Sequence, residues 1–267
     1  MKTAGFLALA MVATPGMALS APVCQVQSGS NTGALLELYT SEGCSSCPPA
    51  DRWFGALSAK ADPKTLSLLA FHVDYWDEIG WPDRFARHAY TQRQSRRVRA
   101  GGSTTIYTPQ VMLSSRLDLR WFKPEMVAAA LTDVMRQPAP LALRLSAQPE
   151  QDHVRVDIDA SALAGLPATG SMYLALYEND LSSVVKAGEN AGVTLHHERV
   201  VRGLWGPWPV SATGATRHLN VTPAKNSRLA NLGLTAFVQD ERSGATLQAV
   251  SLSLAACAKT GEKSATP

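Results

Sequence analysis

Two cysteines separated by two serines, Cys44-Ser45-Ser46-Cys47, have the type and spacing to do chemistry. In thiol–disulfide exchange one sulfur attacks a partner and a second, three residues on, resolves the mixed disulfide. By itself a C-x-x-C is also compatible with half a zinc site or with a structural disulfide. No second C-x-x-C and no H-x-x-x-H follows, so a structural zinc site would lack half its ligands. Leu35, Leu36, Leu38 and Tyr39 are strand formers, and Ser41, Glu42 and Gly43 break the strand. From Asp51 onward Trp53, Phe54 and Leu57 recur at helical spacing. This predicts strand, loop and helix, with Cys44 at a helix N-terminus where free N–H groups favour a thiolate. Cys44, nearer solvent, is then the candidate nucleophile, and Cys47, inside the first turn, the resolving thiol.

The elements that must position this pair alternate in a readable order. A second strand is predicted at 66–73, one or two helices at 82–99, and strands at 111–113 and 117–121. Pro124 suits the first turn of a helix ending near Arg136. Gln137-Pro138-Ala139-Pro140 reads as a linker. Beyond it, segments at 141–145, 154–158, 172–177, 195–201, 216–221, 234–238 and 246–252 have strand character between Gly-, Pro- and Asn-rich loops. The expected organisation is an α/β domain at 30–137 of order β-α-β-α-β-β-α, then an all-β, sandwich-like antiparallel domain at 141–257. A polar tail covers 258–267.

The opening Glu37-Leu38-Tyr39-Thr40-Ser41-Glu42-Gly43-Cys44-Ser45-Ser46-Cys47 is similar to that of glutaredoxins. ELYTSEGCSSCPPAD, FHVDYWDEIGWPDRFA, YTPQVML and GENAGVTLHHERVVR together resemble the exported thioredoxin-like proteins of domain-of-unknown-function family 1223. The resemblance spans nearly all of the chain after the leader. It implies a thioredoxin-like amino-terminal domain with an appended β-rich one, and no particular substrate. In that fold Thr108-Pro109 would fall where a cis-proline faces the cysteine pair, exposing the Thr108 backbone to a substrate strand and keeping metals off the thiols. The chain departs from thioredoxin in having Ser-Ser between the cysteines, no tryptophan before Cys44, and Pro48-Pro49 directly after Cys47.

Other candidates carry competing readings. Glu37 is either a buried proton shuttle or, by the bland account, a solvated strand carboxylate. His72, near Asp74 at the end of the second strand, could complete a Cu(I) site with Cys44 and Cys47, or simply pack there. Arg84, Arg87, Arg93, Arg96, Arg97 and Arg99 form a basic stretch whose default is a solvated helix face. Glu189 and Asn190 lie in a turn, with His197 and Arg202 on the strand after it, and the resemblance marks this stretch without saying why.

The 267 residues carry a net charge of only +3, which gives no ground for nucleic acid or an anionic membrane as partner. Met1-Lys2-Thr3, an apolar run from Phe6 to Ala13, and Ala18-Leu19-Ser20 read as a signal peptide over 1–20, so a periplasmic or secreted protein is expected. No later segment is apolar enough to cross a membrane. If Cys44 and Cys47 pair, Cys24 and Cys257 remain, and a bridge between them would tie the two ends together. The expected activity is thiol–disulfide oxidoreduction on protein or small-molecule thiols, without a dissociable cofactor and with an unidentified electron partner. Cys44 attacks, Cys47 resolves, and Thr108 and Pro109 frame the substrate. The alternatives are copper handling through Cys44, Cys47 and His72, or a non-catalytic binding module whose disulfides are structural.

Overall fold

A computed structural model describes residues 23–163 and 169–257. The expected signal peptide and tail lie outside them. The chain runs β1 (Cys24–Gln27), β2 (Ala34–Thr40), α1 (Pro48–Ser58), β3 (Leu66–His72), α2 (His88–Ala100), β4 (Gln110–Leu113), α3 (Pro124–Met135) and β5 (Leu141–Pro149). It continues through β6 (Val154–Ala162), β7 (Gly170–Glu178), β8 (Leu181–Val184), β9 (Thr194–His197), β10 (Val200–Val210), β11 (Ala215–Val221), β12 (Leu232–Gln239) and β13 (Thr246–Ser253).

This architecture corrects the expected fold class. The chain is mostly β, and it does not form a thioredoxin-like α/β domain followed by a separate sandwich. One mixed sheet of seven strands, ordered β13-β12-β7-β10-β3-β2-β4, takes strands from both halves. The junction is narrow: Val200 of β10 lies beside Ala70 of β3 in parallel register, and Ala70 N–H donates to the Arg199 carbonyl at 2.9 Å. Every residue of β2 and β3 is buried. Without β10, β3 would present an open, apolar edge to water. The strand expected at 117–121 also fails to form. Leu113 and Arg116 close a tight turn instead, and Leu119 N–H returns to the Val111 carbonyl at 2.9 Å.

Alternation along the strands separates the two faces. Leu36 and Leu38 of β2 with Leu68 and Ala70 of β3 face α1 and α3, meeting Phe54 and Leu131. Leu35, Tyr39 and Phe71 face the other way, in a cluster with Tyr90 of α2 and with Tyr173, Tyr177 and Phe237 from the carboxy-terminal half. Helix α2 therefore lies over a face that both halves build. A four-stranded sheet, β1-β5-β6-β11, packs against β7, β12 and β13 to give the third cluster. Strands β8 and β9 form a separate hairpin. The single strand expected at 195–201 is divided between β9 and β10 at Arg199, whose φ is +59°. The 137–140 segment is pinned to 30–32, with Ala139 N–H donating to Ser30 O and Thr32 N–H to Gln137 O.

Candidate active site

Strand β2 ends at Thr40, and residues 41–47 turn tightly into α1. Cys44 N–H donates to the Ser41 carbonyl at 3.2 Å, and Cys47 N–H to the Cys44 carbonyl at 3.2 Å. Pro48 and Pro49 fill the first helical positions, where the missing N–H groups have no helical partner to lose. Ala50, Phe54 and Ser58 recur on one buried face and hold the helix down. Cys47, not Cys44, is therefore the N-cap. A disulfide joins the two cysteines, with Cα atoms 5.4 Å apart. Both are 0% exposed, whereas Ser45 and Ser46 between them are open to solvent. A Cys44 nearer to solvent is not what the fold provides.

Thr108 and Pro109 lie beside this turn. Gln110 pairs with Tyr39, so the residues preceding β4 reach the end of the sheet from which the cysteine turn departs. The Thr108–Pro109 peptide is cis. Trp76 links the two segments: its Nε1–H donates to Thr108 Oγ1 at 2.7 Å, and its Cβ lies where a Cβ on Gly43 would come within 3.3 Å.

Behind the disulfide lies a buried group of carboxylates and histidines. His72 Nδ1 meets Asp83 Oδ2 at 2.6 Å, and His197 Nε2 lies 3.2 Å from Glu42 Oε1. The two imidazoles cross edge to face, 5.0 Å between centroids, with Phe85 against both. Trp81 Nε1–H donates to Glu42 Oε2 at 2.8 Å, while Glu42 and Phe85 N–H groups donate to Asp83. Asp51, four residues past Cys47, lines a narrow crevice with His72 and His197.

The electrostatics separate these acids. Burial pushes Asp83 up, but the His72 imidazole and two backbone N–H donors outweigh it and bring Asp83 to about 2. Burial likewise opposes the charged Glu42, and hydrogen bonding from His197 and Trp81 holds its carboxyl below the usual range. Burial disfavours a charged His72, yet Asp83 raises its pKa. Asp51 moves the other way: burial dominates and pushes its carboxyl upward, against His197 and His72. The acids around the two histidines are thus driven in opposite directions, Asp83 and Glu42 by their hydrogen-bond partners and Asp51 by burial.

The structure distributes the remaining candidates. Glu37 is not a solvated strand carboxylate. It is 0% exposed and bound by Arg93 at 2.5 Å and Arg97 at 2.8 Å. Arg93 and Arg97 are accordingly buried, which corrects the solvated-face reading for those two arginines. Arg202 lies over the Phe85 ring and 3.5 Å from Glu178. Asp74 binds Thr91 and His88 instead of approaching His72. For the copper alternative, His72 Nδ1 is engaged by Asp83, and no group of three or more His, Cys, Asp or Glu among the described residues is arranged to hold a metal ion. Asn190 and Glu189 reach the cysteine turn. Asn190 Nδ2 donates to the Glu42 and Cys44 carbonyls at 2.8 and 3.0 Å, and Ser45 N–H donates to Glu189 Oε2 at 3.0 Å. Sequence reasoning assigned no role to Glu42, Asp51, Trp76, Trp81 or Asp83. All five lie within stretches that carried the family resemblance, DYWDEIGWPD and ELYTSEGCSSCPPAD, with no local signal of what they meet.

Fold and site together define a mostly β, doubly disulfide-bonded protein with a buried C-x-x-C pair. The chain belongs to the family described as "Protein of unknown function (DUF1223)", whose profile matches residues 35–239. No curated protein matches it. Two solved structures share the fold. Protein AGR_C_4864 from Agrobacterium tumefaciens is 24% identical, with a TM-score of 0.62 over 84% of this chain and 96% of that one. HBP35 of Porphyromonas gingivalis is 13% identical, with a TM-score of 0.61 over 85% of this chain and 76% of that one. The bonds Cys44–Cys47 and Cys24–Cys257 point to a non-cytoplasmic protein. Among the described residues no helix is long and apolar enough to cross a membrane.

Proposed function

We propose that the chain is an exported thiol–disulfide oxidoreductase, working in the periplasm or after secretion on protein or small-molecule thiols. The Cys44–Cys47 bond, set one helical turn before Asp51, is the observation that carries this reading. In the reductive half-reaction a partner thiolate attacks Cys44 Sγ, the Cys44–Cys47 bond breaks, and Cys47 departs as a thiolate. The partner's second thiolate then attacks its own mixed-disulfide sulfur and releases Cys44. The partner dithiol leaves as a disulfide, two electrons having passed to the protein. Asp51 lies on the same helical face as Cys47, and helical side chains lean toward the preceding turn. Its carboxyl, pushed up by burial, is the group we assign to protonate the departing Cys47. Thr108 and Pro109 line the substrate side, and Trp76 holds them against the turn.

The reduction potential tests this. Protein equilibrated in graded thiol buffers and alkylated, with Cys44→Ser as control, should give roughly −120 to −270 mV, the range of working oxidoreductases. A value below about −300 mV is that of a structural disulfide and would turn the reading toward a non-catalytic binding module.

A further inference from the structure

Exchange needs an accessible sulfur, yet Cys44 is 0% exposed. The hairpin β8–β9 reaches over from the carboxy-terminal half, and its turn at 188–192 lies on the cysteine turn. Gly188 and Gly192, with φ of +74° and +85°, allow that turn to bend at both ends. Its own hydrogen bonds are internal: Ala191 N–H to Gly188 O, Gly192 N–H to Val185 O, and Val193 N–H to Asn190 O. Three bonds fasten it to the cysteine turn, two from Asn190 and one accepted by Glu189. Asn190 is 6% exposed, so its amide is committed to the Glu42 and Cys44 carbonyls. The root of the hairpin is anchored separately, by buried Leu195 and His197. Such a turn can lift as a unit, losing three bonds and none of its own.

We infer that the hairpin is a lid on the disulfide, latched by Asn190, and that partners reach Cys44 only when the latch releases. The lid takes its biological meaning from the exchange reading above, but its test does not depend on that reading. Asn190 is here a positioning residue that acts through the cysteine turn.

The experiment is a kinetic one. The oxidised protein is reduced with increasing concentrations of a water-soluble phosphine, quenched by alkylation, and each disulfide followed by peptide mass spectrometry. For the unaltered protein the Cys44–Cys47 rate should level off at high phosphine, because opening becomes limiting. Asn190→Ala should raise that plateau about tenfold or more, as expected for two lost hydrogen bonds. The Cys24–Cys257 rate should stay unchanged. Glu189→Gln, at an exposed position, should raise the plateau by a smaller factor, and it carries the test if Asn190→Ala does not fold. A rate that rises linearly with phosphine and is equal in all three proteins overturns the lid. Equal acceleration of both disulfides overturns it too, since that is loss of stability and not unlatching. The exchange reading fails on an equilibrium potential and the lid on a rate, so the two failures are distinguishable.

Discussion

Asp83 sets the charge balance of the crevice behind the disulfide. Its carboxyl is held at about 2, below its ordinary 3.8, so its contribution is complete above about pH 4 and is lost as the pH falls toward 2. His72 is held above its ordinary 6.5, so its share is complete below 6.5 and is lost as the pH rises through the folded value. The pair therefore stabilises the fold most between about pH 4 and 6.5, by on the order of 2 kcal/mol from the Asp83 shift. Urea unfolding of Asp83→Asn against the unaltered protein should show its largest deficit in that window and a smaller one on either side. A deficit that does not vary with pH would contradict the assignment.

Strand β2 and helix α2 are joined by a buried ion triad in which one carboxylate, Glu37, serves two guanidiniums. Arg93 also donates to Gln239 of β12 at 2.7 Å and lies over the Phe71, Tyr173 and Phe237 rings. Arg97 donates to the Gly244 and Ser114 carbonyls. The arginines of α2 thus fasten four strands and two turns to one helix. Removing the shared carboxylate leaves both charges buried without their partner, which costs about 3–5 kcal/mol. Glu37→Gln should lose that much in urea unfolding, and a loss under about 1 kcal/mol would mean that solvent already reaches the triad. Sequence shows the charge run on α2 but not its partner, because Glu37 lies 56 residues before Arg93 on a strand with no other charge.

At the scale of the molecule, Cys24–Cys257 closes a loop of 233 residues and joins the edge strand β1 of the four-stranded sheet to the segment after β13 of the seven-stranded one. It sits inside the core that those sheets share. Its removal as Cys24→Ser with Cys257→Ser should lower stability by about 2–5 kcal/mol, through a less restricted unfolded chain. The Cys44–Cys47 potential should remain as in the unaltered protein. A shift of that potential in the double variant would show that the core between the two sheets and the cysteine turn are coupled.

What the sequence determined by itself is local. The C-x-x-C spacing, the Pro48-Pro49 entry into a helix, the alternation of apolar Val154, Val156 and Ile158 along β6, and the pairing left for Cys24 and Cys257 all follow from near neighbours or from simple counting. The tertiary structure alone decided which strand seals β3, and hence that two expected domains share one sheet. It also decided which charges meet: His72 with Asp83, Glu42 with His197, Glu37 with two arginines, and Asn190 with a cysteine turn 146 residues away. The physical reason is that backbone propensity and periodicity act over one or two turns of chain. The burial that makes a carboxylate unusual, or closes a sulfur off from solvent, is imposed by elements distant in sequence.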